Sequence, residues 1–327
     1  MISKSSLHSL SYKDVLLLPQ YSEINSRDDV NLFLENEKYM NIFSAPMKNI
    51  SEPSFVIALG KLGGVGVLHR FFDTNQERYQ AVEAIASNCD IYGVSIGIHD
   101  FGEELDFVKF AVDKHCNFVC IDTASAYHRN TLEAVRQLSE FRRNNNLYFD
   151  IIAGNVVDAT GCANLVKYGA NIIRMNIGTG LQCLTSTSIG IGCPSLTAIS
   201  DCAKIKKQYP NITLLADGGI YTPGDALKAL AFGASGLMIG SLFGRAKECE
   251  NNGIIFGMSS FALQERMNKT KKSNEGTVTL IPKEEIRPLK EIFSEFAYGL
   301  KSGLSYLGCD DINKLDKINV EYVDLKA

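Results

Sequence analysis

Eight short apolar runs of strand length recur along the chain, at 42–47, 65–69, 92–96, 118–122, 149–155, 172–177, 213–219 and 236–241. Stretches of helical periodicity fill the gaps, at 54–62, 76–87, 103–114, 131–144, 161–168, 196–208 and 224–231. Runs that are apolar nearly throughout describe strands covered on both faces, the condition of a parallel sheet between helices. Eight such units predict an α/β fold, a (β/α)8 TIM barrel. An open doubly wound sheet also alternates, but usually with five or six strands and a G-x-G-x-x-G turn after the first. No such turn follows 42–47. The 327 residues suit one barrel domain over 1–327, since α/β barrels routinely occupy that length as a single unit.

The remaining segments read as attachments. Residues 10–19 form an apolar stretch ended by Pro19 and are expected to dock on the main body. After the eighth run, 253–276 is polar and interrupted, with lysines at 269, 271 and 272, and is expected to be a mobile flap. A helical pattern resumes at 288–304 and a strand-like one at 318–325. A formal charge of −4 without a cluster of Lys and Arg among aromatics speaks against a nucleic-acid partner. Nine scattered cysteines with no C-x-x-C pair read as reduced thiols. No apolar run approaches membrane-spanning length, and 1–20 lacks a basic segment followed by an apolar core, so a cytoplasmic protein without a membrane partner is expected.

In a barrel the C-terminal ends of the strands form the face that carries chemistry. The residues there are Met47, Lys48, His69, Arg70, Asp122, Asn155, Gly178, Asp217 and Ser241. Asp217 precedes Gly218 and Gly219, so its carboxylate can accept both hydroxyls of a ribose while the glycine backbone meets a phosphate. An Asp that merely turns a βα loop explains the same residues equally well. Gly240 and Ser241 end the eighth run, where barrels often hold phosphate, with a structural turn as the alternative. Cys183 stands three residues beyond the Gly178-x-Gly180 turn, with Thr185, Ser186 and Thr187 behind it. That setting suits an accessible nucleophilic thiol flanked by proton carriers, although a free cysteine is more often a small buried hydrophobe.

The loop from 176 to 194, N-I-G-T-G-L-Q-C-L-T-S-T-S-I-G-I-G-C-P, resembles the catalytic cysteine loop of the IMP dehydrogenase and GMP reductase family. That pattern runs roughly G-x-G-x-G-S-x-C-x-T, then G-x-G-x-P-Q. Gly178, Gly180, Cys183, Thr185, Gly190, Gly192 and Pro194 fall on it without a gap. Asn176, Leu181, Gln182 and Ser195 depart from it, standing where the family usually has Gly, Ser, a small or aliphatic residue and Gln. The segment F-G-M-S-S at 256–260 resembles the purine-contacting loop in the form typical of the reductases. Ile255 stands where the dehydrogenases carry a phosphate-gripping Tyr, and their water-activating Arg-Tyr pair is absent between 260 and 275.

The resemblance implies a GMP reductase-like enzyme that converts GMP to IMP and ammonia with NADPH, NADH remaining open. It implies Cys183 as the nucleophile that forms a covalent thioimidate at the purine, with Thr185 and Glu275 relaying protons to the departing ammonia. Met47, Asp217, Gly218, Gly219, Gly240, Ser241, Gly257, Met258 and Ser259 would bind the nucleotide. Asp122, Thr123, Ala124 and Asn155 would meet the cofactor. A potassium ion on backbone carbonyls of Gly178, Gly180 and Cys183 and a homotetramer are further implications. The regulatory CBS modules that dehydrogenases of the family often carry between the second and third strands are not expected, because about twenty residues separate His69 from Tyr92. A short IMP dehydrogenase working with NAD and a catalytically silent purine-nucleotide-binding protein are the alternative readings.

Overall fold

Strands β2 (Ile42–Ser44), β3 (Gly66–Leu68), β4 (Tyr92–Ile96), β5 (Phe118–Ile121), β6 (Asp150–Val156), β7 (Ile172–Met175), β8 (Thr213–Asp217) and β9 (Gly236–Ile239) form one parallel sheet in a computed structural model of the chain. The structure describes residues 9–34, 37–180, 185–257, 260, 261, 265 and 276–326. Neighbours in the sheet run β2-β9-β8-β7-β6-β5-β4-β3. A parallel bridge between Phe43 and Val65 joins the two ends, with Val65 N–H donating to the Ile42 carbonyl and Ser44 N–H to that of Val65, each at 2.9 Å. The sheet is therefore a closed eight-stranded barrel, which leaves it no free edge.

Helices alternate with these strands as the periodicity predicts: α1 (Pro53–Lys61), α2 (Asn75–Ala86), α3 (Phe101–Asp113), α4 (Arg129–Asn144) and α5 (Ala159–Tyr168), then a short α6 (Thr185–Ser188), α7 (Ser195–Ala203) and α8 (Pro223–Ala231). The helical pattern at 196–208 divides into α7 and a 3-10 turn over Lys204–Lys207. Several helix starts carry their own chemistry. Thr74 with Glu77 and Thr222 with Asp225 form capping boxes, and Asp158 accepts from Gly161 N–H. Such pairs satisfy N–H groups that have no partner within the helix. The connection from β3 to β4 contains only α2 among its regular elements.

Two hydrophobic layers hold the barrel. Phe43, Val67, Phe118, Cys120, Ile152, Ile172, Leu215 and Met238 fill its inside. Their strand neighbours, such as Leu68, Val119, Ile121, Ile151, Leu214 and Leu237, pack outward against the helices. Side chains alternate along a strand, so the inward register continues to Asp122 above Cys120, to Arg174 above Ile172 and to Asp217 above Leu215. That alternation puts three charged residues in the layer immediately above the apolar plug.

The terminal segments close over one side of the barrel. Strand β1 (Val15–Leu17) pairs antiparallel with β12 (Tyr322–Asp324) near the chain's end. The buried Asp14 carboxylate bonds Lys326 at 2.7 Å, and at the start of α7 the Leu10 carbonyl accepts from Leu196 and Thr197 N–H while Leu10 N–H donates to Thr197 Oγ1. The apolar segment at 10–19 thus docks as expected. The segment at 253–276, read as a mobile flap, lies largely outside the described residues. At its base β10 (Ile254–Phe256) pairs antiparallel with β11 (Val278–Leu280), because Ile255 is buried against Gly244 and fixes one strand of the ladder. Helix α9 (Leu289–Tyr306) then covers α8 and α1.

Candidate active site

Arg174 organises the C-terminal mouth of the barrel. Its guanidinium reaches Asp217 Oδ2 through Nε at 2.9 Å and Nη2 at 2.8 Å, and Asp122 Oδ1 through Nη1 at 3.2 Å. Asn155, on β6, donates to the same Asp217 Oδ2 at 2.9 Å and to the Asn176 carbonyl at 2.9 Å. On the far side Arg70 Nε stands 3.4 Å from Asp122 Oδ2, and its guanidinium lies 4.4 Å from the centre of the Phe71 ring. The charges alternate across the mouth as Arg70, Asp122, Arg174 and Asp217, two of each sign.

Burial gives this row its strength. Arg174 is only 7 % exposed. Burial opposes its charge, but the facing carboxylates of Asp217 and Asp122 outweigh that penalty and raise its pKa. Below it the Cys120 thiol is pushed up to about 12, chiefly by burial, and stays protonated. Glycine at 154 makes room for the row, since a Cβ there would fall 2.5 Å from the Arg174 carbonyl oxygen and 2.6 Å from its Cβ. Three donors hold one oxygen of Asp217, whereas its Oδ1 has no hydrogen-bond partner among the described residues. Such a carboxylate is fixed in orientation and still has an oxygen with which to accept from a ligand.

The two glycine turns lie against each other beside Asp217. Gly218 and Gly219 have φ of +90° and +78°, and a Cβ on either would fall 3.1 Å from Thr179. Gly178, also at positive φ, opens the other turn, and its carbonyl accepts from Ser186 Oγ at 3.1 Å. Met47 Sδ would lie 2.8 Å from a Cβ at Gly240, so the first and eighth strand ends meet at that residue. Thr123 is tied to the Gly154 carbonyl at 2.7 Å, and Ala124 beside it is exposed. Gly257 is fixed through its N–H to the Thr277 carbonyl. Thr185 opens α6. Cys183, Met258, Ser259 and Glu275 lie outside the described residues.

Two histidines near the mouth serve the scaffold. His69 is buried, stacks on Phe72 and accepts Phe71 N–H at Nδ1, while its Nε2 lies 3.0 Å from Glu52 Oε2 but off the line of a hydrogen bond. His128 caps α4 by accepting Asn130 N–H. Clefts of about 400 and 510 Å³ lie at the barrel's opposite end, around Asp150, Asn171 and Tyr148, away from every strand-end candidate. No group of three metal-ligating side chains occurs among the described residues, nor is any described helix long and apolar enough to cross a membrane.

The model of the IMP dehydrogenase / GMP reductase domain matches residues 9–326, from the docked N-terminal segment to the last strand. The chain belongs to the IMP dehydrogenase/GMP reductase family. It is 30% identical to the GMP reductase of Onchocerca volvulus over 94% of this chain and 89% of that protein. It is 28% identical to the inosine-5'-monophosphate dehydrogenase of Borreliella burgdorferi, over 99% and 96% of the two chains, and also 28% identical to the GMP reductase of Shigella boydii, over 94% and 92%. The family is thus an oxidoreductase family, and both of its named activities occur among relatives about 30% identical to this chain. Two of its departures from the family's loop fall within the described residues. Asn176 adopts φ of +84°, a conformation in which glycine costs least, and Ser195 is buried at the start of α7.

Proposed function

We propose that the protein is a GMP reductase: GMP, NADPH and two protons give IMP, ammonium and NADP+. The observation that carries the nucleotide site is the Asp217 carboxylate, clamped at Oδ2 by Arg174 and Asn155 and with no partner at Oδ1 among the described residues, beside two turns of positive φ. Asp217 Oδ1 accepts the ribose hydroxyls, and Gly218, Gly219, Gly240 and Ser241 surround the phosphate. Met47 and the loop with Gly257, Met258 and Ser259 border the base. The Cys183 thiolate attacks C2 of the purine, and the amino group leaves as ammonia with proton help from Thr185 and Glu275. Covalent attachment divides a difficult substitution into two easier steps.

NADPH supplies the hydride that completes the reaction. The residues named for it suit such a group, because Asn155 Oδ1 is enclosed and has no hydrogen-bond partner among the described residues. That acceptor fits a carboxamide N–H. Asp122 and Thr123 stand beside it, and Arg174 holds the Asp122 carboxylate in place. A potassium ion on the Gly178, Gly180 and Cys183 carbonyls belongs to the same reading. The preference for reduction over dehydrogenation rests on G-M-S-S at 257–260, on Ile255 in place of a tyrosine, and on the missing Arg-Tyr pair. Ile255 is buried beneath Gly244 and offers phosphate nothing.

The test is a pair of assays on the purified protein, GMP with NADPH and IMP with NAD. We expect NADPH oxidation with equimolar ammonia and IMP in the first and no reaction in the second. XMP formed from IMP would replace the reading by a dehydrogenase, and nucleotide binding without turnover in either would make the protein a purine-nucleotide sensor.

A further inference from the structure

Tyr12 Oη and both amide atoms of Asn176 are enclosed beside the site and have no hydrogen-bond partner among the described residues. Tyr12 is 6 % exposed and Asn176 2 %. The Tyr12 ring packs on Gly219, 3.3 Å from where a Cβ would stand, and its hydroxyl faces the Asn176 carboxamide and the Ser195 hydroxyl. Burial holds that phenol protonated, so it is a donor. The segment carrying Tyr12 is itself fixed, through Leu10 to α7 and through the Tyr12 carbonyl to Lys228 Nζ at 2.7 Å. Asn176 begins the stretch that continues into Gly178 and Gly180, and its backbone is held by Val156 and Asn155.

Buried donors and acceptors are rarely left unpaired, and here the Tyr12 hydroxyl faces the Asn176 carboxamide. We propose that Tyr12 and Asn176 are positioning residues joined by a hydroxyl-to-carboxamide hydrogen bond, through which the N-terminal segment fixes the base of the Cys183 loop. The pairing answers for the side chain at 176, where the backbone at φ of +84° by itself would favour glycine. It rests on the GMP reductase reading only for its effect on turnover.

Hydrogen exchange of the peptide spanning 177–193 and steady-state kinetics with GMP and NADPH test the proposal in Tyr12→Phe, Asn176→Gly and the double variant. Each single change is expected to speed exchange of that peptide about tenfold, leaving the barrel strands unchanged, and to lower kcat about tenfold with KM for GMP held. The double variant is expected to be no worse than the worse single one, the mark of two residues acting as one unit. Wild-type exchange in Tyr12→Phe, or additive losses in the double variant, would overturn it. A wild-type protein inert towards GMP would sink the reductase reading alone, because the exchange comparison decides the clasp without any substrate.

Discussion

Arg174→Leu is expected to cost about 3–5 kcal/mol of stability, more than any surface charge change in the molecule. Leucine replaces the stem but leaves two carboxylates, Asp122 and Asp217, buried in the mouth without their shared partner. The ion pairs need not be more favourable than an apolar core of the same shape; the cost lies in stranding one sign of charge. Adding Asp122→Asn and Asp217→Asn to Arg174→Leu should therefore recover part of the loss, and denaturant midpoints of the single and triple variants measure it. Exposed pairs give the contrast: neutralising Arg136, which bonds Glu133 and Glu140 on the face of α4, should change stability little. If Arg174→Leu were as stable as the wild type, the row of alternating charges would have no structural role.

Cys183→Ala is expected to lower kcat with GMP by at least about 10³-fold while GMP still binds. A nucleophile acts in the chemical step, so its loss should not weaken the contacts of ribose and phosphate, which lie on other strands. Rapid-quench assays with a parallel binding titration separate the two effects. Residual turnover within tenfold of the wild type would assign the covalent step to another group.

The barrel was legible because burial on both faces leaves a plain mark, eight apolar runs, and each coincides with a strand to within a few residues. Asp122, Asn155 and Asp217 were legible as candidates because they end such runs. Arg174 was missed as a site residue although it stands in the run at 172–177. The usable signal was the two-residue register Ile172, Arg174, Asn176, a charged side chain aimed inward between strands that end in Asp. Strands β10 and β11 escaped because each has three residues, and the segment between them is polar. Their pairing depends on burying Ile255 under Gly244, a long-range contact that local periodicity does not carry. Tyr12 and Asn176 meet for the same reason, 164 positions apart in the chain.

In the proposed site the Asp217 carboxylate, held by Arg174 and Asn155, binds the nucleotide. Calorimetric titration of GMP into the wild type and Asp217→Asn, both checked for an unchanged melting temperature, tests it most directly. GMP is expected to bind the wild type, and the variant about 10- to 100-fold more weakly, the scale of hydrogen bonds to a charged acceptor. Equal affinity in the two proteins would contradict it and move the nucleotide elsewhere.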